Sequence, residues 1–160
     1  MRRHEGPEPT TLEEYRNRHA LHKTDPDLQA AHAAYPWTLT WDDHEVQNDY
    51  AADQPQDRSD PQAYWEHMPL RHASMLRGAE MRLYHRLTFA LVGMSVLDGR
   101  QYRSVQPCIE GPRGGARLVE VERCAAHLDA RQTMLGPPQD GWLLGGLGRS
   151  RRPPGPRRAA

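Results

Sequence analysis

Asp42, Asp43, His44 and Glu45 stand in an unbroken row. Three carboxylates beside an imidazole are the groups that hydrolysis of a phosphoester at a metal centre uses. Such a reaction needs hard oxygen ligands for the ions and a water that the ions make nucleophilic. It also needs a group that stabilises or protonates the leaving oxygen. Asp42 and Asp43 are candidates for the ligands and His44 for the group that meets the phosphate. The same four residues also describe an exposed acidic turn with a solvated histidine, and short runs of this kind recur by chance. The surrounding composition suits hard cations: from Asp42 to Asp60 there are seven acids and one base, Arg58.

The elements that must position this run are legible from turn and cap chemistry. Trp37 to Trp41 is short, aromatic and β-branched with alternation, which predicts a strand. It ends directly at Asp42, and loops at the carboxyl ends of strands are where α/β proteins place functional groups. Upstream, Thr11 with Glu14 three residues later is a capping box, so a helix is expected from Leu12 to about Lys23. Asp25-Pro26 supplies an N-cap with proline at the first helical position, opening a second helix over Asp27 to about Ala34 that stops before Pro36. Asp49 to Asp60 reads as a loop. Asp60-Pro61 repeats the cap-plus-proline device for a helix over Gln62 to Met68, stopped by Pro69. Met81–Phe89 and Leu91–Leu97 are expected to form a hairpin, with Asp98 at a strand end as Asp42 is. Gln106–Arg117 reads as a loop and Leu118–Ala130 as a short helix. Gly136–Leu147 reads as a helix with Trp142, Leu143 and Leu147 on one side. Residues 1–10 are expected to be a disordered lead, 11–147 the domain, and 148–160 a disordered Arg/Pro-rich tail.

At 160 residues the chain has the length of one ordinary domain. Its core-forming material is thin: 37% hydrophobic residues, a single Phe and a mean hydropathy of -0.89. That polarity suits a segment that buries itself against other parts of a larger domain. Net charge is zero, yet from Arg149 onward there are five Arg and no acid. Such an end suits phosphate or nucleic acid, or is simply solvated. Cys108 and Cys124 are too far apart for a CxxC metal pair and show no disulfide framework, so two free or partly buried thiols are expected. No apolar run reaches the ~20 residues of a membrane span. Arg2 and Arg3 are not followed by the apolar stretch of a secretion signal.

Thr40-Trp41-Asp42-Asp43-His44-Glu45-Val46, followed by Asn48, resembles the TWDDHEVxNN block of the PhoD-like metallophosphatases. Further blocks follow in that family's order: Tyr15 to Leu21, Asp25 to Ala33, Arg71 to Tyr84, Asp98 to Ser104, Gln106-Pro107-Cys108, and Thr133 to Gly136 with Gln139 and Trp142. The resemblance spans roughly Thr11 to Leu147. Several ordered blocks in one chain are far more specific than one motif.

The resemblance implies an α/β fold, a metallophosphatase β-sandwich with flanking helices, incomplete in this chain. It implies hydrolysis of phosphomonoesters and phosphodiesters at alkaline pH, with iron(III) and calcium as cofactors and a phosphate ester as substrate. Asp43 then stands where a metal-ligating Asn usually stands, and His44 where a histidine contacts the phosphate. Asp42 is either a second ligand or a partner that orients His44. Asp98 and Arg100 fall in the family's DTRQYR block, with Gly99 in place of Thr. Arg100 is either a bidentate phosphate clamp or one half of a structural salt bridge. Cys108 corresponds to a structural loop cysteine, and Trp37, Trp41, Trp65 and Trp142 to packing residues. The family's upstream cysteine and Gly-Asp-x-x-Tyr block and its downstream His and Asp ligands have no counterpart here. The chain is therefore expected to be a fragment, marginally stable and inactive alone, whose parent is periplasmic or extracellular. The alternative is a non-catalytic fragment that binds a partner or nucleic acid through its basic tail.

Overall fold

The structure, a computed structural model, describes residues 6–46, 49–51, 59–70, 81–109 and 118–150. It is a mixed helix and strand chain that divides into two compact units. The first comprises Met1–Leu39, His44–Gln47 and Pro55–Arg82, and the second Thr40–Asp43, Asn48–Gln54 and Leu83–Ala160.

The first unit is helical. Helix α1 spans Leu12–Lys23, and both hydrogen bonds of the Thr11–Glu14 capping box are present. Satisfying the orphan amides of the first turn holds a helix that buries no residue completely. Helix α2 spans Pro26–Ala34, with the Asp25 carboxylate accepting from the amides of Asp27 and Leu28. Helix α3 spans Ser59–His67 and packs on α1. It begins before the predicted Gln62, with Pro61 inside its first turn. A proline is tolerated there because its missing N–H would have had no helical acceptor. Arg16 on α1 donates through Nε and Nη2 to the two oxygens of Glu66 on α3, both at 2.6 Å. This fork holds the Glu66 carboxyl well below its usual range, at about 2. The Tyr15 hydroxyl donates to the Val46 carbonyl at 2.6 Å. His19 stacks on His67 and meets the edge of Tyr64.

The second unit is built on a hairpin and a helix. Strands β1 (His85–Phe89) and β2 (Val92–Val96) pair antiparallel, His85 opposite Val96 and Phe89 opposite Val92. They are shorter than the predicted runs. Ala90 and Leu91 form the two-residue turn, and Ala90 takes a positive φ of 48°. The hairpin tip is exposed and its base is buried, with Val96, Leu83 and Tyr84 in the core. Helix α4 spans Gly136–Ser150, three residues beyond the predicted end at Leu147. Gly148 to Ser150 are thus helical, and the rest of the expected disordered tail, 151–160, lies outside the described residues. The Thr133 hydroxyl accepts from the amides of Leu135 and Gly136 at the start of α4. Gly136 has a φ of +69°, and a Cβ there would lie 2.7 Å from the Tyr102 carbonyl oxygen, so only glycine fits.

Three expectations are corrected. Trp37–Trp41 is not a strand: among the described residues the sheet is the β1–β2 pair alone, and a strand needs a ladder partner. Instead the Thr40 hydroxyl donates to the Leu97 carbonyl at 3.0 Å. Leu118–Ala130 is not an α-helix but two 3-10 turns, Val121–Arg123 and Ala125–Leu128. Cys108 and Cys124 are not free thiols; they form a disulfide with a Cα–Cα distance of 5.8 Å. The thiols are brought together by loop geometry, which spacing in sequence does not disclose.

Candidate functional site

The site in the second unit is organised by Asp98, two residues beyond β2 and completely buried. Its Oδ1 accepts from the amides of Arg100 and Gln101, both at 2.9 Å. This is the turn-forming bond that Asp makes two residues ahead. Its Oδ2 accepts from Trp41 Nε1 at 3.1 Å and Gln101 Nε2 at 2.6 Å. Four donors on one buried carboxyl leave it no role as an exposed reactant. Its effect is to fix the 98–101 turn and tether it to Trp41, the residue before Asp42.

That turn carries Arg100 to the acidic pair. Arg100 Nε donates to Asp42 Oδ1 at 2.7 Å, and Nη2 lies 2.6 Å from the same oxygen. Nη2 is 3.6 Å from Asp43 Oδ1. The side chain of Asp42 is 74% exposed, whereas those of Asp43 and Arg100 are 9% and 16% exposed. Asp43 Oδ2 also accepts from the amide of Asp49 at 2.8 Å. Asp49 adopts φ 58°, a conformation that Asp tolerates better than most residues, and its carbonyl accepts from Gln106 Nε2 at 2.7 Å. The predicted residues Asp42, Asp43 and Arg100 are therefore brought together from 58 residues apart. His44, the next residue after Asp43, falls in the first unit and is exposed.

Arg103 was quoted in the sequence only as part of a block. Burial pushes its guanidinium below the usual arginine range; Arg100 acts in the same direction, and Asp49, Asp42 and Asp43 oppose it. Its Nε is buried with no hydrogen-bond partner among the described residues, as is Gln106 Oε1. The available signal was an arginine and a glutamine inside a proline-flanked loop directly after the Asp98 turn.

Iron(III) and calcium, the cofactors that the resemblance implies, would need more than this set supplies. Hard cations such as calcium take six to eight oxygen ligands. Asp42 and Asp43 bring two carboxylates, both already charge-compensated by Arg100. Among the described residues no group of three or more His, Cys, Asp or Glu could hold an ion. The donors present do not make a metal centre by themselves.

The chain belongs to the PhoD-like phosphatase family, whose model matches residues 1–153. It is 41% identical over 162 residues to alkaline phosphatase D of Bacillus subtilis (strain 168), covering 94% of this chain and 26% of that protein. It matches the solved structure titled "Structure of PhoD" with 40% identity and a TM-score of 0.77, covering 93% of this chain and 29% of that one. The chain thus spans little more than a quarter of the length of these relatives. No helix among the described residues is long and apolar enough to cross a membrane.

Proposed function

We propose that this chain supplies part of a metal-dependent phosphoesterase domain, one that hydrolyses phosphomonoesters or phosphodiesters at alkaline pH. The observation that carries the reading is the Arg100 guanidinium, held at 2.6–2.7 Å against Asp42 by a turn that buried Asp98 organises. A planar guanidinium can meet two phosphate oxygens at once. Asp42 is the exposed partner, so it is the carboxylate that gives way when a phosphoryl group takes its place on Arg100. Asp43, buried and bonded to the Asp49 amide, keeps the arginine oriented during that exchange. His44 is assigned to protonating or stabilising the leaving oxygen.

Iron(III) and calcium belong to the proposal as cofactors, with ligands beyond Asp42 and Asp43 drawn from other residues of a longer domain. On the same reading the β1–β2 hairpin is part of a metallophosphatase β-sandwich, and the chain alone is inactive. The Cys108–Cys124 disulfide supports an oxidising compartment, periplasmic or extracellular. The alternative, binding of nucleic acid or a partner through the basic tail, rests on residues 148–160, of which 151–160 lie outside the described residues.

The test is hydrolysis of p-nitrophenyl phosphate and bis(p-nitrophenyl) phosphate with iron and calcium supplied. The 160-residue chain alone gives background rates. Co-expressed with the flanking segments of a PhoD-like relative, it gives turnover that His44→Ala and Arg100→Gln each reduce at least ~100-fold, the scale of a lost acid-base or charge-stabilising group. Turnover that survives both substitutions would sink the assignment.

A further inference from the structure

Asp43 is held from two sides. Its Oδ2 accepts from the Asp49 amide at 2.8 Å, while its Oδ1 lies 3.6 Å from Arg100 Nη2. The first contact fixes the rotation of the carboxylate, and that rotation decides whether Oδ1 faces the guanidinium. Asp49 is held in turn: its carbonyl accepts from Gln106 Nε2 at 2.7 Å. One glutamine side chain thus stands behind the backbone that orients Asp43.

Gln106 lies midway between two pins. On one side the Ser104 amide donates to the Thr133 carbonyl at 2.9 Å, and the Thr133 amide donates to Ser104 Oγ at 3.0 Å. On the other side Cys108 is bridged to Cys124. Among the described residues the non-glycine positions with positive φ are Asp49, Ala90 and Cys108. Ala90 belongs to the hairpin turn. The other two, each at φ 58°, stand at the two ends of the path through Gln106. Such conformations persist only where surrounding contacts hold them. The Gln106 bond holds Asp49, and the bridge holds Cys108. Pro107 makes the link between them stiff, because its ring fixes its own φ and confines the preceding Gln106 to extended backbone. A rotation at Cys108 is therefore passed on to Gln106.

We propose that Gln106 is a positioning residue for the Asp43–Arg100 pair, acting through Asp49, and that the Cys108–Cys124 bridge keeps it in reach. A dithiol reductant opens the bridge. It gives up two electrons and two protons and closes to a cyclic disulfide, while the S–S bond of the chain becomes two thiols. Cys108 then leaves the left-handed region, Gln106 moves off the Asp49 carbonyl, and Asp43 loses the amide that aims it. The geometric claim stands without hydrolysis; only the effect on turnover rests on the phosphoesterase reading.

The experiment follows the Asp49 amide and Arg100 Nε proton signals of the full chain by nuclear magnetic resonance. An amide that donates to a carboxylate makes a strong, charge-assisted bond and resonates downfield. Asp43→Ala marks where the Asp49 signal falls without that bond. Gln106→Leu, and reduction of the wild-type chain with dithiothreitol, should each move the Asp49 signal towards that mark and shift Arg100 Nε. The β1–β2 hairpin amides should stay in place. Reduction of Gln106→Leu should add nothing, because the bridge acts through the glutamine. In the domain reconstituted with flanking segments, Gln106→Leu should lower kcat ~10-fold with KM nearly unchanged, the mark of misplaced groups. The proposal is overturned by an oxidised wild-type Asp49 signal already at the Asp43→Ala position. It is also overturned by signals that either Gln106→Leu or reduction leaves unmoved, by effects of the two that add, or by hairpin amides that shift as far. An unchanged kcat for Gln106→Leu in a domain that turns over overturns it as well. The expected shifts beside a reconstituted domain without turnover would leave the positioning role standing and remove the catalytic reading.

Discussion

Gln139 and Asp98 exchange a pair of hydrogen bonds between side chain and main chain. The Asp98 amide donates to Gln139 Oε1 at 2.8 Å, and Gln139 Nε2 donates to the Asp98 carbonyl at 2.7 Å. Both residues are completely buried. The glutamine of α4 thus occupies the place of a ladder partner just beyond the end of β2. Gln139→Leu leaves a buried N–H and a buried C=O unmade at once. A loss of ~2–6 kcal/mol is expected from two such groups at about 1–3 kcal/mol each. Urea unfolding of the variant against wild type measures it. An unchanged midpoint would mean that the clamp contributes nothing.

The Cys108–Cys124 bridge spans a sequence separation of 16. Loop-closure entropy for a cross-link of this size is worth about 3 kcal/mol. Unfolding in the presence of reductant, or of the double variant Cys108→Ser/Cys124→Ser, should show a destabilisation of that order. Reductant should have no effect on the double variant.

Ala90 sits at φ 48° in the two-residue turn between β1 and β2. An L-residue pays for that conformation and glycine does not. Ala90→Gly should therefore stabilise the hairpin by ~0.5–1 kcal/mol, read as a raised denaturation midpoint. A lowered midpoint would show that the turn is not in the left-handed region.

His19 is expected to make stability pH-dependent. Burial, then the positive neighbours His67, Lys23 and His22, push its folded pKa down from 6.5 to about 4. The folded state therefore holds fewer protons than the unfolded chain between these values, and stability rises with pH across that window. The contribution is fully present above 6.5 and is lost as pH falls towards 4. With the ring partly open to solvent, the loss is ~2 kcal/mol. His19→Gln should flatten the stability profile between pH 4 and 6.5. A profile as steep as wild type would assign the slope to other groups.

Local chemistry was the most legible part of this chain. The capping box at Thr11 and Glu14 and the Asp25-Pro26 cap place α1 and α2 to within a residue, because each device needs only residues three or four apart. The WDDHE run could be picked out from its residue types, and Arg100 from the resemblance that the Asp98 to Ser104 block carries. Their meeting could not. Nothing in the spacing shows that Arg100 reaches Asp42 and Asp43 across 58 residues while Asp98 turns inward to serve the backbone. Trp37–Trp41 has strand composition, but composition cannot supply the neighbour that a ladder requires. α4 runs through Gly148 to Ser150 although propensity argues for an earlier stop.

What the sequence by itself determined were the starts of α1, α2 and α4, the candidate acids and bases, and the family to which their order points. Each of these depends on short-range hydrogen bonding or on residue identity alone. Only the tertiary structure decided the disulfide, the buried clamp between Asp98 and Gln139, and the two unmade polar groups of Arg103 and Gln106. These depend on which distant groups the folded chain brings within three ångströms and shuts away from water. An isolated pattern of residues cannot encode burial, and burial gives a carboxyl, an amide or a guanidinium its cost and its use.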